Sequence, residues 1–303
     1  MPISRPTKKL RGVVLGSAAA LAMAVAWPAG SALSDTNEEF FLQFHSFVPA
    51  QKSFKLPKLT TGAVWQDDMQ VARDAWRNGK YVQARKHLEQ AREKGHVIAS
   101  WYLGHIYQQG RGVKKNDAKA FKYYREVAVT YEPDAGSSRR TMIIVDSMVR
   151  VADVYREGSK SAKVNRDPSR AFGIYSTASG HGHPGAEFGL GVIYLKGLGI
   201  RKNPRRALRW LSKSARKRYA PAEALLGELY WEGMYVAKDR TRAITWYLLA
   251  RQTANPVVHR HVYNRLEEML LAVSDEERKI AIERATRLSQ KHPTKSGILP
   301  ASD

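Results

Sequence analysis

The chain contains no cysteine in 303 residues. That absence removes disulfides, thiol catalysis and thiolate metal sites together. Acidic residues are also scarce, with 28 Asp and Glu against 50 Lys and Arg and a formal charge of +22. The carboxylates are spread out, so no paired-carboxylate cleft is written into the sequence. There is no nucleophile elbow and no glycine loop built to cradle phosphate. The glycines of Gly110-Arg111-Gly112 and Gly197-Leu198-Gly199 follow helical patterns and serve as their terminators. Nine histidines are scattered along the chain. The close pairs His181/His183 and His259/His261 lack a third ligand at metal-binding spacing, and His96 and His183 stand three residues before Ala99 and Ala186 as turn residues of a repeat. The sequence thus gives no catalytic residue, no cofactor and no metal site, and it points away from an enzyme.

One uncharged apolar run, Gly12 to Trp27, follows Arg5, Lys8, Lys9 and Arg11 and precedes Pro28-Ala29-Gly30-Ser31-Ala32. This is the three-part layout of a secretory signal, with cleavage expected after Ala32. The run is shorter than the roughly 20 residues that cross a bilayer, so a retained anchor is the weaker alternative. No cysteine follows it, which excludes a lipid-modified amino terminus. The expected compartment is the bacterial periplasm, with a mature chain that does not span the membrane. Without disulfides such a chain rests on its core alone, for which roughly 220 residues of stacked helix suffice.

Removing the leader takes away four basic residues and leaves about +18. A balance that basic favours an acidic protein surface, an anionic polymer or lipid headgroups as partner. Export argues against nucleic acid. The charge is concentrated between Arg201 and Arg218, where Arg205, Arg209, Lys213 and Arg216 form one stripe of a helix opposite Ala207, Leu211 and Ser214. This stripe is either a solvated outer face or a partner-binding surface. A second candidate is the cluster Phe40, Phe41, Phe44 and Phe47, just after the leader. It reads either as a cap folded onto the first unit or as a detachable segment that engages a partner or offers a protease a site.

Three stretches repeat one another. Ala186, Gly191, Tyr194, Gly197, Ala207 and Trp210 recur 36 residues later as Ala222, Gly227, Tyr230, Gly233, Ala243 and Trp246. The stretch from Ala99 to Ala128 keeps the same positions. A fixed period of this size means a helical solenoid. Within one unit, Ala186, Leu190, Ile193 and Tyr194 lie on one helical stripe, and Pro204 opens a second helix that runs to about Lys217. Trp210, Trp246, Tyr194 and Tyr230 are expected in the core. An eroded unit around Ala152, Tyr155, Ala171 and Tyr175 is offset by insertions around Glu132 to Arg140 and Ser159 to Asn165. Upstream, Val71 to Ala91 reads as a helical hairpin turned at Asn78-Gly79. Downstream lie two capping helices, the second opened by the capping box Ser274-Asp275-Glu276-Glu277. The expected organisation is a signal peptide over 1–32, a Phe-rich segment over 33–64, about five helical pairs over 65–251, capping helices over 252–290 and a tail over 291–303.

The pattern A-x(3)-L-G-x(2)-Y-x(2)-G-x-G-V-x(6)-A-x(2)-W/Y-x(4)-A resembles the Sel1-like repeat, a relative of the tetratricopeptide repeat. The resemblance implies an all-α, right-handed solenoid. The loop Glu132-Pro133-Asp134-Ala135-Gly136-Ser137-Ser138-Arg139, the helix ending Ala152-Asp153-Val154-Tyr155, and the segments Lys202 to Leu211 and Thr245 to Arg251 are similar to the ExoR family over about Trp65 to Leu271. That resemblance implies a periplasmic repressor. It would bind the extracytoplasmic sensing domain of a membrane histidine kinase, hold a two-component pathway controlling exopolysaccharide and motility off, and be removed by a periplasmic protease. An envelope scaffold without a kinase partner is the alternative.

Overall fold

The structure, a computed structural model, describes residues 64–133, 138–256 and 259–293. The leader and Phe40, Phe41, Phe44 and Phe47 lie outside the described residues. Twelve helices form these residues, and the one β feature among them is a bridge between Ser159 and Val164 inside the second insertion. Five antiparallel pairs follow in order: α1 (Val64–Arg77) with α2 (Tyr81–Glu93), α3 (Val97–Gln109) with α4 (Asp117–Ala128), α5 (Arg139–Glu157) with α6 (Pro168–Gly180), α7 (Pro184–Lys196) with α8 (Pro204–Arg216), and α9 (Ala220–Glu232) with α10 (Arg240–Thr253). Each pair packs on the next, and the first helices also meet along one face, α3 with α5 and α5 with α7. Two more helices, α11 (Arg260–Leu271) and α12 (Asp275–Lys291), pack against α10 and close the array.

The turn inside each pair is built the same way four times. The first helix ends in a left-handed residue at Gly110, Gly197 and Gly233, each with φ near +70°, where a side chain would be strained. The N-cap of the second helix then points its backbone N–H back to a tyrosine carbonyl. Asn116 reaches Tyr107, Asp167 reaches Tyr155, Asn203 reaches Tyr194 and Asp239 reaches Tyr230, at 2.7–3.0 Å. The same four side chains accept the N–H of Lys119, Arg170, Arg206 and Arg242, which satisfies one of the free donors at a helix start.

Close approach within a pair depends on small residues. A Cβ added at Gly104 would lie 2.6 Å from the Tyr124 ring, at Gly191 2.7 Å from Leu211, and at Gly227 2.5 Å from Tyr247. In the eroded unit Ala152 takes this place. Its partner Tyr175 instead accommodates Gly189 of the next pair, where an added Cβ would stand 2.5 Å away. Apolar side chains from every pair, such as Leu103, Ile144, Ile174, Leu190, Leu211, Leu226 and Ile244, form a core that runs the length of the stack.

Four aromatics differ from expectation. Tyr194, Trp210, Tyr230 and Trp246 are half-buried rather than core residues. They cover the edge of the core, and the ring faces of three of them carry cations: Arg206 on Tyr194, Lys213 on Trp210 and Arg242 on Tyr230. At the carboxyl-terminal end Ser274 and Glu277 form the reciprocal capping box.

Candidate partner-binding surfaces

The basic stripe sits on α8, a second helix, with Ala207, Leu211 and Ser214 buried beneath it. Arg205, Arg209 and Arg216 are exposed. Lys213 is drawn aside: its Nζ lies 3.0 Å from the carboxylate of Glu187 on α7 and 5.0 Å from the Trp210 ring centroid. Three members of the stripe therefore present free charge to solvent, and the fourth is tied to the fold.

Glu187 has no exposed surface, and Lys217 closes on the same oxygen at 2.6 Å while also donating to the Gly182 carbonyl. The second, fourth and fifth pairs place a polar group at this position, directly after the repeat alanine, whereas the third pair has the buried Met148 there. In the second pair Ser100 donates to Glu126, which Arg92 grips through both oxygens. In the fifth pair Glu223, also fully buried, faces Arg218 and Thr253. Burial pushes the Glu223 carboxyl up to about 7, against the pull of Arg218 and Thr253. Sequence reading missed these groups, although an acidic residue at an interior register of a helix was a legible signal.

A second polar cluster lies between α3, α5 and the start of α7. Trp101 donates its indole N–H to Asp146 at 2.7 Å, Arg150 lies 3.3 Å from the same oxygen, and His183 Nε2 lies 3.4 Å from the other. Burial opposes ionisation of Asp146, but Arg150, His105 and His183 overcome it and hold the carboxyl well below the usual range. His105 is fully buried against Trp101 and Tyr124, and burial, aided by Arg150, pushes it down to about 4. Of the two histidine pairs, His181 meets the Tyr131 hydroxyl at 2.6 Å and His259 accepts from the Asn255 amide. Among the described residues no group of three or more His, Asp or Glu could hold a metal ion.

A concavity of about 680 Å³ runs along the face shared by the first helices. Phe188, Val192 and Leu195 of α7 and Ala224 and Leu225 of α9 give it an apolar floor, and Arg156 of α5 and Glu228 of α9 stand at its walls. Arg156 pairs with Asp153 and Glu157 and lies about 6 Å from the Tyr175 and Phe188 rings. Glu228 accepts from Tyr247 at 2.6 Å and from Arg265 at 2.9 Å. The charged walls are thus held in place by the fold, as a preformed recognition surface requires.

Stacked helical pairs with a long groove on one layer and a basic helix on the other define a helical-repeat solenoid. The Sel1 repeat profile matches residues 77–96, 97–128, 145–183, 184–219 and 220–252, more than half of the chain. The chain belongs to the Sel1 repeat family. Over 127 residues it is 35% identical to proteins named exopolysaccharide production negative regulator from Rhizobium leguminosarum bv. viciae and Rhizobium meliloti (strain 1021). The match covers 41% of this chain and 46% of each relative, so the chain spans about half the length of these relatives. The crystal structure of a Sel1 repeat protein from Oxalobacter formigenes shares the fold, with a TM-score of 0.52 over 85% of this chain and 95% of that one at 22% identity. Among the described residues no helix is long and apolar enough to cross a membrane.

Proposed function

We propose that this chain is a periplasmic negative regulator of exopolysaccharide production. It binds the extracytoplasmic sensing domain of a membrane histidine kinase and holds a two-component pathway off. The observation that carries this reading is the 35% identity to two proteins named exopolysaccharide production negative regulator, in a chain of Sel1 repeats. The leader pattern at residues 1–32 supports the compartment. A solenoid without a catalytic constellation acts by binding, and a repressor shifts a kinase only by preferring its inactive conformation. Proteolysis of the repressor would then be the signal, because it removes that preference.

The exposed guanidinium groups of Arg205, Arg209 and Arg216 are the proposed first contact with an acidic kinase surface, with the groove along α5, α7 and α9 receiving the rest of the domain. Loss of the gene is expected to raise exopolysaccharide and lower flagellar expression. A copy carrying Arg205→Glu and Arg209→Glu should fold normally yet fail to restore the wild-type pattern. Normal complementation by that copy would remove the stripe, and a change in cell shape without any transcriptional response would remove the regulatory reading.

A further inference from the structure

The turns inside the pairs stack against one another along one edge of the array. A Cβ added at Gly112 would meet Tyr81 and Val82 of the preceding pair at 3.1 Å, one added at Gly199 would meet Ser169 at 2.6 Å, and Lys202 lies 5.0 Å from the ring centroid of Tyr235 in the next turn. From the second pair to the fifth, the residue before the N-cap of the second helix is basic and exposed: Lys115, Arg166, Lys202 and Lys238. A second basic row stands four residues further on, where Lys119, Arg170, Arg206 and Arg242 lie over tyrosine rings. The exposed acids of these four turns are already engaged. Asp117 pairs with Lys115 at 3.5 Å, Glu157 with Arg156 at 2.7 Å and Glu232 with Arg265 at 3.3 Å. Asp167 and Asp239 are occupied as N-caps. Arg166, Lys202 and Lys238 are thus rungs without a carboxylate partner among the described residues.

One rung also presents an aromatic ring. Gly112 and Gly199 are left-handed at φ 66° and 70°, and in the fifth pair Tyr235 takes the same register at φ 62° with 48% of its surface exposed. A bulky residue in this conformation is strained, and glycine fills the place without strain in two other turns. Exposure gives the Tyr235 ring little packing to offset that strain. Strain of this kind persists where a side chain is needed for contact. The negative face of an aromatic ring suits the C–H side of a sugar as well as a cation.

We propose that this edge binds a linear acidic polysaccharide, whose carboxylates take the basic rungs of successive turns while a sugar ring stacks on Tyr235. The rungs repeat at one register in four successive pairs, and a periodic polymer repeats its charge in the same way, unlike the irregular surface of a folded protein. Successive second helices are separated by one first helix, and helices pack at about 8–10 Å, which sets the rungs on the order of 10–20 Å apart. That exceeds the roughly 8 Å screening length at physiological salt. Each rung then acts nearly alone, and affinity comes from one chain engaging several of them. The twist of a solenoid bends the row, which a flexible polymer follows and a flat bilayer does not. Arg205, Arg209 and Arg216 are not part of this surface, and the binding stands apart from the kinase reading. That the polymer would then act as an input to its own regulation does rest on the proposed function.

The test is isothermal titration calorimetry of the purified chain at about 0.15 M salt with polygalacturonate, monomeric galacturonate, neutral dextran and phosphatidylglycerol vesicles. Polygalacturonate is expected to bind, about a hundredfold or more tighter than the monomer, and dextran is not. The triple variant Arg166→Gln, Lys202→Gln, Lys238→Gln should weaken polymer binding by about tenfold or more. Removing the same charge from the exposed face of α12, with Lys279→Gln, Arg284→Gln and Arg287→Gln, should weaken it by about threefold at most. Tyr235→Gly should also weaken binding yet melt no lower than the parent chain, because it relieves the strained backbone. Thermal melts establish that the triple variants fold. The proposal is overturned by an absence of polygalacturonate binding, by equal losses in the two triple variants, by vesicles that bind as tightly through the same rungs, or by unchanged affinity in Tyr235→Gly.

Discussion

Arg242 stands over the ring of Tyr230, its guanidinium carbon 4.4 Å from the ring centroid. The same relationship recurs between Lys119 and Tyr107, Arg170 and Tyr155, and Arg206 and Tyr194. In each pair the basic residue is the third of the second helix, the position whose backbone N–H the N-cap accepts. A cation there opposes the helix dipole, so its presence four times over needs a compensating contact, and the tyrosine face supplies one. Removing either partner should cost about 0.5–2 kcal/mol. A double-mutant cycle with Arg242→Gln and Tyr230→Leu, read by urea unfolding, should give a coupling on the order of 1 kcal/mol. Zero coupling would mean that the two side chains merely share a surface.

Glycine positions separate into two kinds. Gly227→Ala would drive a methyl group to 2.5 Å from the Tyr247 ring and 3.1 Å from the Ala243 carbonyl. The cost should be about 1–3 kcal/mol. Gly180 has nothing within 4 Å of an added Cβ and lies at the end of α6. Gly180→Ala should be neutral or stabilise by up to about 1 kcal/mol, through lost chain entropy in the unfolded state. Chemical denaturation of both variants checks the pair, and equal effects would contradict the packing described.

The buried carboxylate of Glu187 predicts an asymmetry. Lys213 and Lys217 keep 43% and 35% of their side-chain surface exposed, whereas Glu187 keeps none. Removing the acid lets both cations turn to water. Removing the cations leaves a buried charge unpaired, a loss of about 3–5 kcal/mol. The Lys213→Met, Lys217→Met double variant should thus unfold at clearly lower denaturant than Glu187→Gln. The reverse order would show that the lysines do little for the acid.

Two buried groups pull the pH dependence of stability in opposite directions. Glu223 titrates at about 7 when folded and near 4.5 when unfolded. The native state therefore holds the extra proton, and stability falls as pH rises between those values. His105 titrates at about 4 folded against 6.5 unfolded. Here the unfolded state holds the extra proton, and stability falls as pH drops through that window. Each contribution is on the order of 3 kcal/mol. Glu223→Gln should unmask a loss of stability on acidification from 6.5 towards 4, and His105→Phe a loss as pH rises from 4.5 to 7. Unchanged pH profiles in thermal melts of both variants would contradict the assignment.

Much of the fold was legible because the repeat is written in small residues and turns. Gly191, Gly197, Pro204 and Ala207 fix where helices begin, end and touch, and their 36-residue recurrence carries that to the next pair. The insertions were legible from spacing alone, and the second closes on itself through the Ser159–Val164 bridge. Side-chain pairing was harder to read. Nothing in the sequence singles out Arg206 or Arg242, yet each covers a tyrosine, and those rings sit at the edge of the core. Lys213 looked like a member of an exposed stripe because helical periodicity places it there. The buried acid that claims it comes from α7, 26 residues earlier in the chain. Contacts between helices that distant leave no periodic trace.

The most direct test of the regulatory account is crosslinking in the native periplasm with a tagged chain, followed by identification of the crosslinked proteins. Recovery of a membrane histidine kinase through its extracytoplasmic domain, reduced by Arg205→Glu and Arg209→Glu, is the predicted result. Recovery of wall or assembly proteins at saturating crosslinker, without any kinase, would contradict it.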